Sequence, residues 1–258
     1  MKGYLKRRPH FIILSGDGIN CERETAEAFK RAGADVDIKH IHELLKDPKI
    51  LGHYQGMAIP GGFSFGDELG SGQVLAVKLK YGLNEELHRF VEDKKPLLGI
   101  CNGFQVLLKL GLLPFPREEK CIGLGSHREE HFINRWVDLE VDGQSVCHWT
   151  KGLEKVSFEL PIRNAEGRVF LKKGKERDLF ETLKKKGQVP LYYKGTSSRD
   201  HESIAGLCDP DGLIFGLMPH PEAFVSYGTY RSVHHNPYEK GLGQLIFDNI
   251  VHYLEGRE

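Results

Sequence analysis

Leu97-Leu-Gly-Ile-Cys-Asn-Gly-Phe-Gln105 sets a cysteine between two glycines at the end of an apolar run. Gly-x-Cys-x-Gly is the spacing of a nucleophile elbow, where a strand turns sharply into a helix and leaves the reactive side chain at the bend. A helix N-terminus presents unpaired N–H groups and partial positive charge, and both favour thiolate over thiol at Cys101. Gly99 and Gly103 suit the strained dihedrals and close backbone approach of such a bend. The N–H of Asn102, next after the nucleophile, is placed to meet a developing oxyanion. The competing reading of Cys101 is a buried structural thiol, because free cysteine is among the most buried residue types.

A second stretch supplies the partner. Residues 213–222 read Leu-Ile-Phe-Gly-Leu-Met-Pro-His-Pro-Glu. Each proline fixes its own φ and biases its predecessor toward extended backbone. In an extended segment residues i and i+2 point to one side. The spacing therefore predicts that the Glu222 carboxylate bonds one imidazole nitrogen of His220 and leaves the other to take a proton. A lone His or Glu in a loop is ordinarily a solvated side chain. The proline-locked pair after a buried run instead fits the orienter and base of a triad, with Cys101 as nucleophile.

With these two motifs the chain resembles the class I (triad) glutamine amidotransferases. More narrowly, it resembles the family of glutaminase subunits of phosphoribosylformylglycinamidine synthase. Pro60-Gly-Gly-Phe-Ser-Phe-Gly-Asp67 with Gly70-Ser-Gly72 is similar to the oxyanion-strand loop of that family. Gly111-Leu-Leu-Pro114, Arg135-Trp-Val137, Ile204-Ala-Gly-Leu-Cys208 and the pair Asn20-Cys21 also fit. Two departures stand out. Asn164 occupies the place of a histidine in the family's Pro-Ile-Ala-His-Gly-Glu-Gly, and residues 223–240 are longer than expected after His-Pro-Glu.

The resemblance implies glutamine hydrolysis through a cysteinyl thioester, with catalytic Cys101, His220 and Glu222. The N–H groups of Asn102 and of the Gly61-Gly62 turn would meet the oxyanion. Gln105, one turn into the elbow helix on the nucleophile's face, would position glutamine. A plain strand-end turn at 61–62 and a surface role for Gln105 are the competing readings. The implied partners are a large ATP-dependent synthetase subunit and a small accessory subunit. Together they would convert formylglycinamide ribonucleotide to its amidine, in the cytoplasm. ATP and Mg are expected in the partner and no cofactor in this chain, which lacks a Gly-x-x-x-x-Gly-Lys-Ser/Thr loop. The isolated chain is expected to be a weak glutaminase whose site docking completes. The alternatives are a glutaminase subunit for another acceptor, a free-standing cysteine hydrolase on the same fold, and a catalytically silent regulatory subunit.

Composition narrows the classes. The 258 residues carry 36 Lys and Arg against 36 Asp and Glu, a balance that does not point to nucleic acid. No apolar run reaches the length of a membrane span. Five irregularly spaced cysteines argue against a disulfide framework and for a reducing compartment. His127 and His131, Cys147-His148 and His234-His235 match no zinc spacing, so no metal is expected. Ser15 to Asn20 lacks a full Gly-x-Gly-x-x-Gly, so dinucleotide binding is weakly supported.

The elements that must position these residues follow from periodicity. Short buried-strand runs at 11–14, 36–38, 57–59 and 97–100 alternate with helical stretches at 22–32 and 83–91. This order predicts an α/β fold, a doubly wound, mostly parallel, flavodoxin-like sheet flanked by helices, with its site at the carboxyl ends of the strands. The alternating runs at 136–141, 156–160 and 189–193 predict antiparallel edge strands ahead of a returning strand at 213–217. A short helical piece at 178–183 and a closing helix at 242–254, with Leu245, Ile246, Ile250 and Leu254 aligned, complete the set. Residues 1–258 are read as one glutamine amidotransferase domain, with 1–10 expected to be disordered.

Overall fold

Four successive side chains, Phe11 to Leu14, are fully buried, as a continuous apolar run requires of a strand covered on both faces. They lie in β1 (His10–Ser15), which leads through α1 (Glu22–Arg31), β2 (Asp35–His40) and α2 (Ile41–Lys46) to β3 (Gly56–Ile59). Two helices, α3 (Gln73–Gly82) and α4 (Asn84–Glu92), precede β4 (Leu97–Ile100) and α5 (Asn102–Leu110). The second half runs β5 (Ile122–Ser126), β6 (Ile133–Val141), β7 (Phe158–Asn164), β8 (Glu166–Leu171), α6 (Glu176–Lys185) and β9 (Leu191–Tyr193). It closes with β10 (Ile204–Cys208), β11 (Ile214–Leu217) and α7 (Gln244–Leu254). The computed structural model describes residues 8–116, 118–126, 131–195, 200–232 and 235–256.

Among the described residues nine strands form one sheet in the order β2-β1-β3-β4-β11-β10-β9-β6-β7. The first five are mutually parallel and the rest antiparallel, as expected. The parallel half brings the turns after β1, β3, β4 and β11 to one edge, where sites of such sheets lie. Phe29 of α1 stacks on Phe11 at 4.2 Å and meets Phe247 of α7 at 5.0 Å. Among the described residues no helix is long and apolar enough to cross a membrane.

Several expectations change in detail. The helix expected at 83–91 is preceded by α3, whose Leu75, Ala76 and Leu79 are buried; Leu83 is the break between the two. The buried stripe of α7 is Ile246, Phe247, Ile250 and Val251, while Leu245 and Leu254 are half-buried, because the helix turns a different face to the sheet. A separate two-stranded sheet of β5 and β8 is an addition to the expected elements. Residues 1–7 of the start expected to be disordered lie outside the described residues, whereas His10 is paired with Asp35 in the β1–β2 ladder.

Candidate active site

Cys101 stands at the junction of β4 and α5 with φ 50° and ψ −105°, a left-handed conformation uncommon for a residue with a Cβ. Its N–H donates to Leu217 O of β11 at 2.8 Å. The two flanking glycines are required by contact. A Cβ on Gly103 would lie 1.9 Å from Ile59 O, and one on Gly99 would lie 2.7 Å from Gly103 O. This is the elbow expected from the spacing.

His220 follows β11, and its N–H donates to Pro161 O of β7 at 2.9 Å. Its Nδ1 lies 2.6 Å from Glu222 Oε1, and the two residues are 3% and 4% exposed. The pairing is the expected one, but its local cause differs. His220 is extended, while Pro221–Phe224 forms a single 3-10 turn. The fixed φ of Pro221 suits the first position of a helical turn, so a turn rather than a strand brings the carboxylate under the ring.

Burial disfavours the imidazolium form of His220, yet the Glu222 carboxylate and the nearby Cys101 and Cys21 sulfurs outweigh it. The net effect holds the His220 pKa well above its ordinary value. Among the described residues, buried Nε2 has no hydrogen-bond partner. The Cys101 thiol makes its hydrogen bond to Arg163 O of β7, at 3.7 Å. The sulfur and imidazole thus face each other electrostatically, while the thiol hydrogen is parked on a backbone carbonyl.

Gly61 packs directly against this pair: a Cβ there would meet His220 Cε1 at 2.8 Å and the Cys101 Cβ at 3.5 Å. Gly62, at φ 142°, bridges Ile19. That bridge uses Gly61 O as acceptor from Asn20 and Phe63 N–H as donor to Gly18. Among the described residues the N–H groups of Gly61, Gly62 and Asn102 have no backbone acceptor.

Asn102 does more than its backbone position suggested. Its Oδ1 accepts from Ser64 N–H at 3.2 Å and Ser64 Oγ at 2.6 Å, and its Nδ2 donates to Asp67 at 3.0 Å and to Gln105 at 3.0 Å. Asp67 also accepts from Gly72 N–H at 2.9 Å. The side chain thereby pins the loop after β3, in which Phe65, Gly66 and Asp67 all have positive φ. Gln105 is buried, not on the surface, and its Nε2 donates to Glu166 O at 2.8 Å. Its amide is turned to Asn102 and the start of β8 instead of standing open for a ligand.

Sequence reasoning assigns no role to Ser64, Asp67, Arg163 or Glu166. Their contacts to the elbow span 35 to 62 residues, beyond any local spacing signal. Cys21 is a further arrival: its Sγ, a His220 nitrogen and a Glu222 oxygen all lie within 4.8 Å of one another. This is the one His/Cys/Asp/Glu group among the described residues compact enough to offer three ligand atoms, and two of its members are the hydrogen-bonded pair His220 and Glu222. Among the described residues no other histidine joins such a group of three. The His148 ring lies tilted against Tyr253 and that of His235 against Tyr227, while His127 and His234 lie outside the described residues. Asn164, the departure in β7, is buried and pairs with Ile133.

The sequence matches the family described as the CobB/CobQ-like glutamine amidotransferase domain over residues 8–254. It is 40% identical over 233 residues to the phosphoribosylformylglycinamidine synthase subunit PurQ of Methanococcus maripaludis, covering 84% of this chain and 83% of that one. Against the same-named subunit of Dehalococcoides mccartyi it is 38% identical over 245 residues, covering 93% and 95%. In the solved structure of PurLQS from Thermotoga maritima, a chain superposes with TM-score 0.73 at 29% identity, over 96% of this chain and 99% of that one. Fold, elbow and kinship agree: this chain belongs to the CobB/CobQ-like glutamine amidotransferase family.

Proposed function

We propose that this chain is the glutaminase subunit of a phosphoribosylformylglycinamidine synthase, with Cys101, His220 and Glu222 as its proton-transfer relay. The observation that carries the relay is the buried 2.6 Å contact between His220 and Glu222, beside a cysteine held in a left-handed elbow.

Cys101 sulfur attacks the side-chain amide carbon of glutamine. The thiol proton passes to His220 Nε2, whose raised affinity for protons is supported by Glu222. N–H groups of Asn102 and of the Gly61-Gly62 turn receive the tetrahedral oxyanion; one such donor is typically worth about 3 kcal/mol of barrier. The C–N bond breaks as His220 returns its proton to the departing nitrogen, releasing ammonia and leaving a γ-glutamyl thioester. Water then gives a proton to His220 and attacks the thioester, and the C–S bond breaks as His220 returns that proton to the Cys101 sulfur, releasing glutamate. Asn102 and Gln105 serve from behind the site, holding the loop after β3 and the β8 start in place.

Ammonia loses its lone pair to protonation in bulk water, so its transfer to the acceptor needs a shielded route. That requirement supports docking on an ATP-dependent synthetase subunit, with a small accessory subunit as a third component. ATP and Mg belong to that partner, this chain needs no cofactor of its own, and the assembly works in the cytoplasm.

The test measures glutamate release by the purified chain, alone and with the synthetase subunit, before and after treatment with a glutamine chloroketone. Labelling of Cys101, stimulation by the partner and loss of activity in Cys101→Ala are expected. Full activity of Cys101→Ala would overturn the relay, and a full rate without the partner would overturn completion of the site by docking.

A further inference from the structure

Cys21 heads α1, and the proposed hydrolysis has no step for a second thiol. Its Sγ lies 3.3 Å from Asn20 Oδ1 and within 4.8 Å of ligand atoms of both His220 and Glu222. The same place holds two buried atoms without hydrogen-bond partners among the described residues, His220 Nε2 and Glu222 Oε2. The first is the atom the relay needs for Cys101. The second is left over, and a buried acceptor without a donor is unfavourable. A thiol is a weak donor and a weak acceptor, so rotation about the Cys21 Cα–Cβ bond suits it to serve either Asn20 or the acid–base pair. Asn20 in turn donates its N–H to Gly61 O at 3.4 Å. One short loop after β1 therefore bonds the oxyanion turn through Asn20 and comes within 4.8 Å of the imidazole–carboxylate pair through Cys21.

We propose that Cys21 is a positioning residue for the glutaminase reaction: its sulfur braces the His220–Glu222 pair from the head of α1 and keeps the imidazole aimed at Cys101. This rests on the relay of Cys101, His220 and Glu222. The groups facing the His220 ring are Glu222 from its own turn, Cys101 from the elbow and Cys21 from α1, while Pro161 O of β7 holds its backbone N–H. Cys21 helps the ring keep its proton, so its removal should release that proton at lower pH.

The experiment follows glutamate release against pH for the full chain with its synthetase subunit, as wild type, Cys21→Val and Cys21→Ser. Valine fills the space of the thiol without its polarity, and serine restores polarity. The expected result for Cys21→Val is a kcat lower by about tenfold with KM held within about twofold. Its acid limb, where His220 must lose its own proton before it can take the thiol's, should move down by about half a pH unit or more. Cys21→Ser should return both toward wild type. A valine profile that coincides with wild type, an equal loss in both variants, or a loss without movement of the limb would each overturn the proposal. If Cys21→Val does not fold, Cys21→Ala is read by the same criteria. Cys101→Ala, run alongside, separates the two ideas: activity remaining there strikes the relay itself, whereas an inactive Cys101→Ala beside an indifferent Cys21→Val strikes only the role of Cys21.

Discussion

Gly61→Ala tests the site with a single methyl group. The added Cβ would sit 2.8 Å from His220 Cε1, and ordinary contact begins near 3.4 Å. The ring must therefore retreat by about 0.6 Å to relieve the overlap. It has little freedom to do so, being 3% exposed and tied to Glu222 at 2.6 Å. Gly61 itself lies outside the left-handed region, so alanine adds no backbone strain and the fold should tolerate it. A misplacement approaching 1 Å at a reacting group costs on the order of 100-fold in rate. The expected outcome is a kcat for glutamine hydrolysis lower by roughly 10- to 100-fold, with a melting temperature within about 3 °C of wild type. Gly62→Ala serves as the contrast, because its Cβ would meet backbone atoms, Gly18 O at 2.5 Å and Ile19 Cα at 2.9 Å, and stability should fall along with activity. Steady-state glutamate release and calorimetry on both variants decide the matter. Wild-type turnover in Gly61→Ala would refute the placement of His220 as the working base.

Asn102→Ala strips the donors and acceptors that hold Ser64, Asp67 and Gln105. Leaving the buried Ser64 groups unpaired should cost about 1–3 kcal/mol, visible in denaturant unfolding, with a larger proportional loss of glutaminase activity as the loop after β3 loosens; unchanged unfolding would refute the network's role. His220 has a folded pKa raised above its unfolded value of about 6.5. Its contribution to stability is therefore complete below about pH 6.5 and is lost as pH rises through the folded pKa. Wild type should accordingly lose stability faster than Glu222→Gln across that window, and parallel melting curves for the two would contradict it.

The elbow is legible in the sequence because its constraint is local. Glycines two residues to either side of Cys101 are demanded by atoms that Gly103 and Gly99 themselves approach. The His220–Glu222 contact is legible for a related reason, although the backbone reaches it by a 3-10 turn where proline rules point to extension. The brace around Asn102 is not. Its partners Ser64 and Asp67 lie 38 and 35 residues away, and no periodicity records which loop a side chain will meet. The helix at 73–82 is hidden differently: it follows the glycine-rich Gly70-Ser-Gly72, which reads as a turn, and Gly72 at its head is left-handed. The order of the parallel strands follows from hydrophobic runs and glycine ends, whereas the β5–β8 ribbon has two glycines within five residues and little strand character to see.

The dihedrals of Cys101, φ 50° and ψ −105°, carry an evolutionary consequence. A side-chain-bearing residue in so sparsely populated a region holds torsional tension of about 1–3 kcal/mol. Glycine at that peptide would shed the tension and the sulfur in one step. On the proposed relay, thermal robustness and turnover therefore pull against each other at a single backbone unit. A duplicated copy freed from making ammonia would find its easiest gain in stability by erasing the very atom that defined its trade.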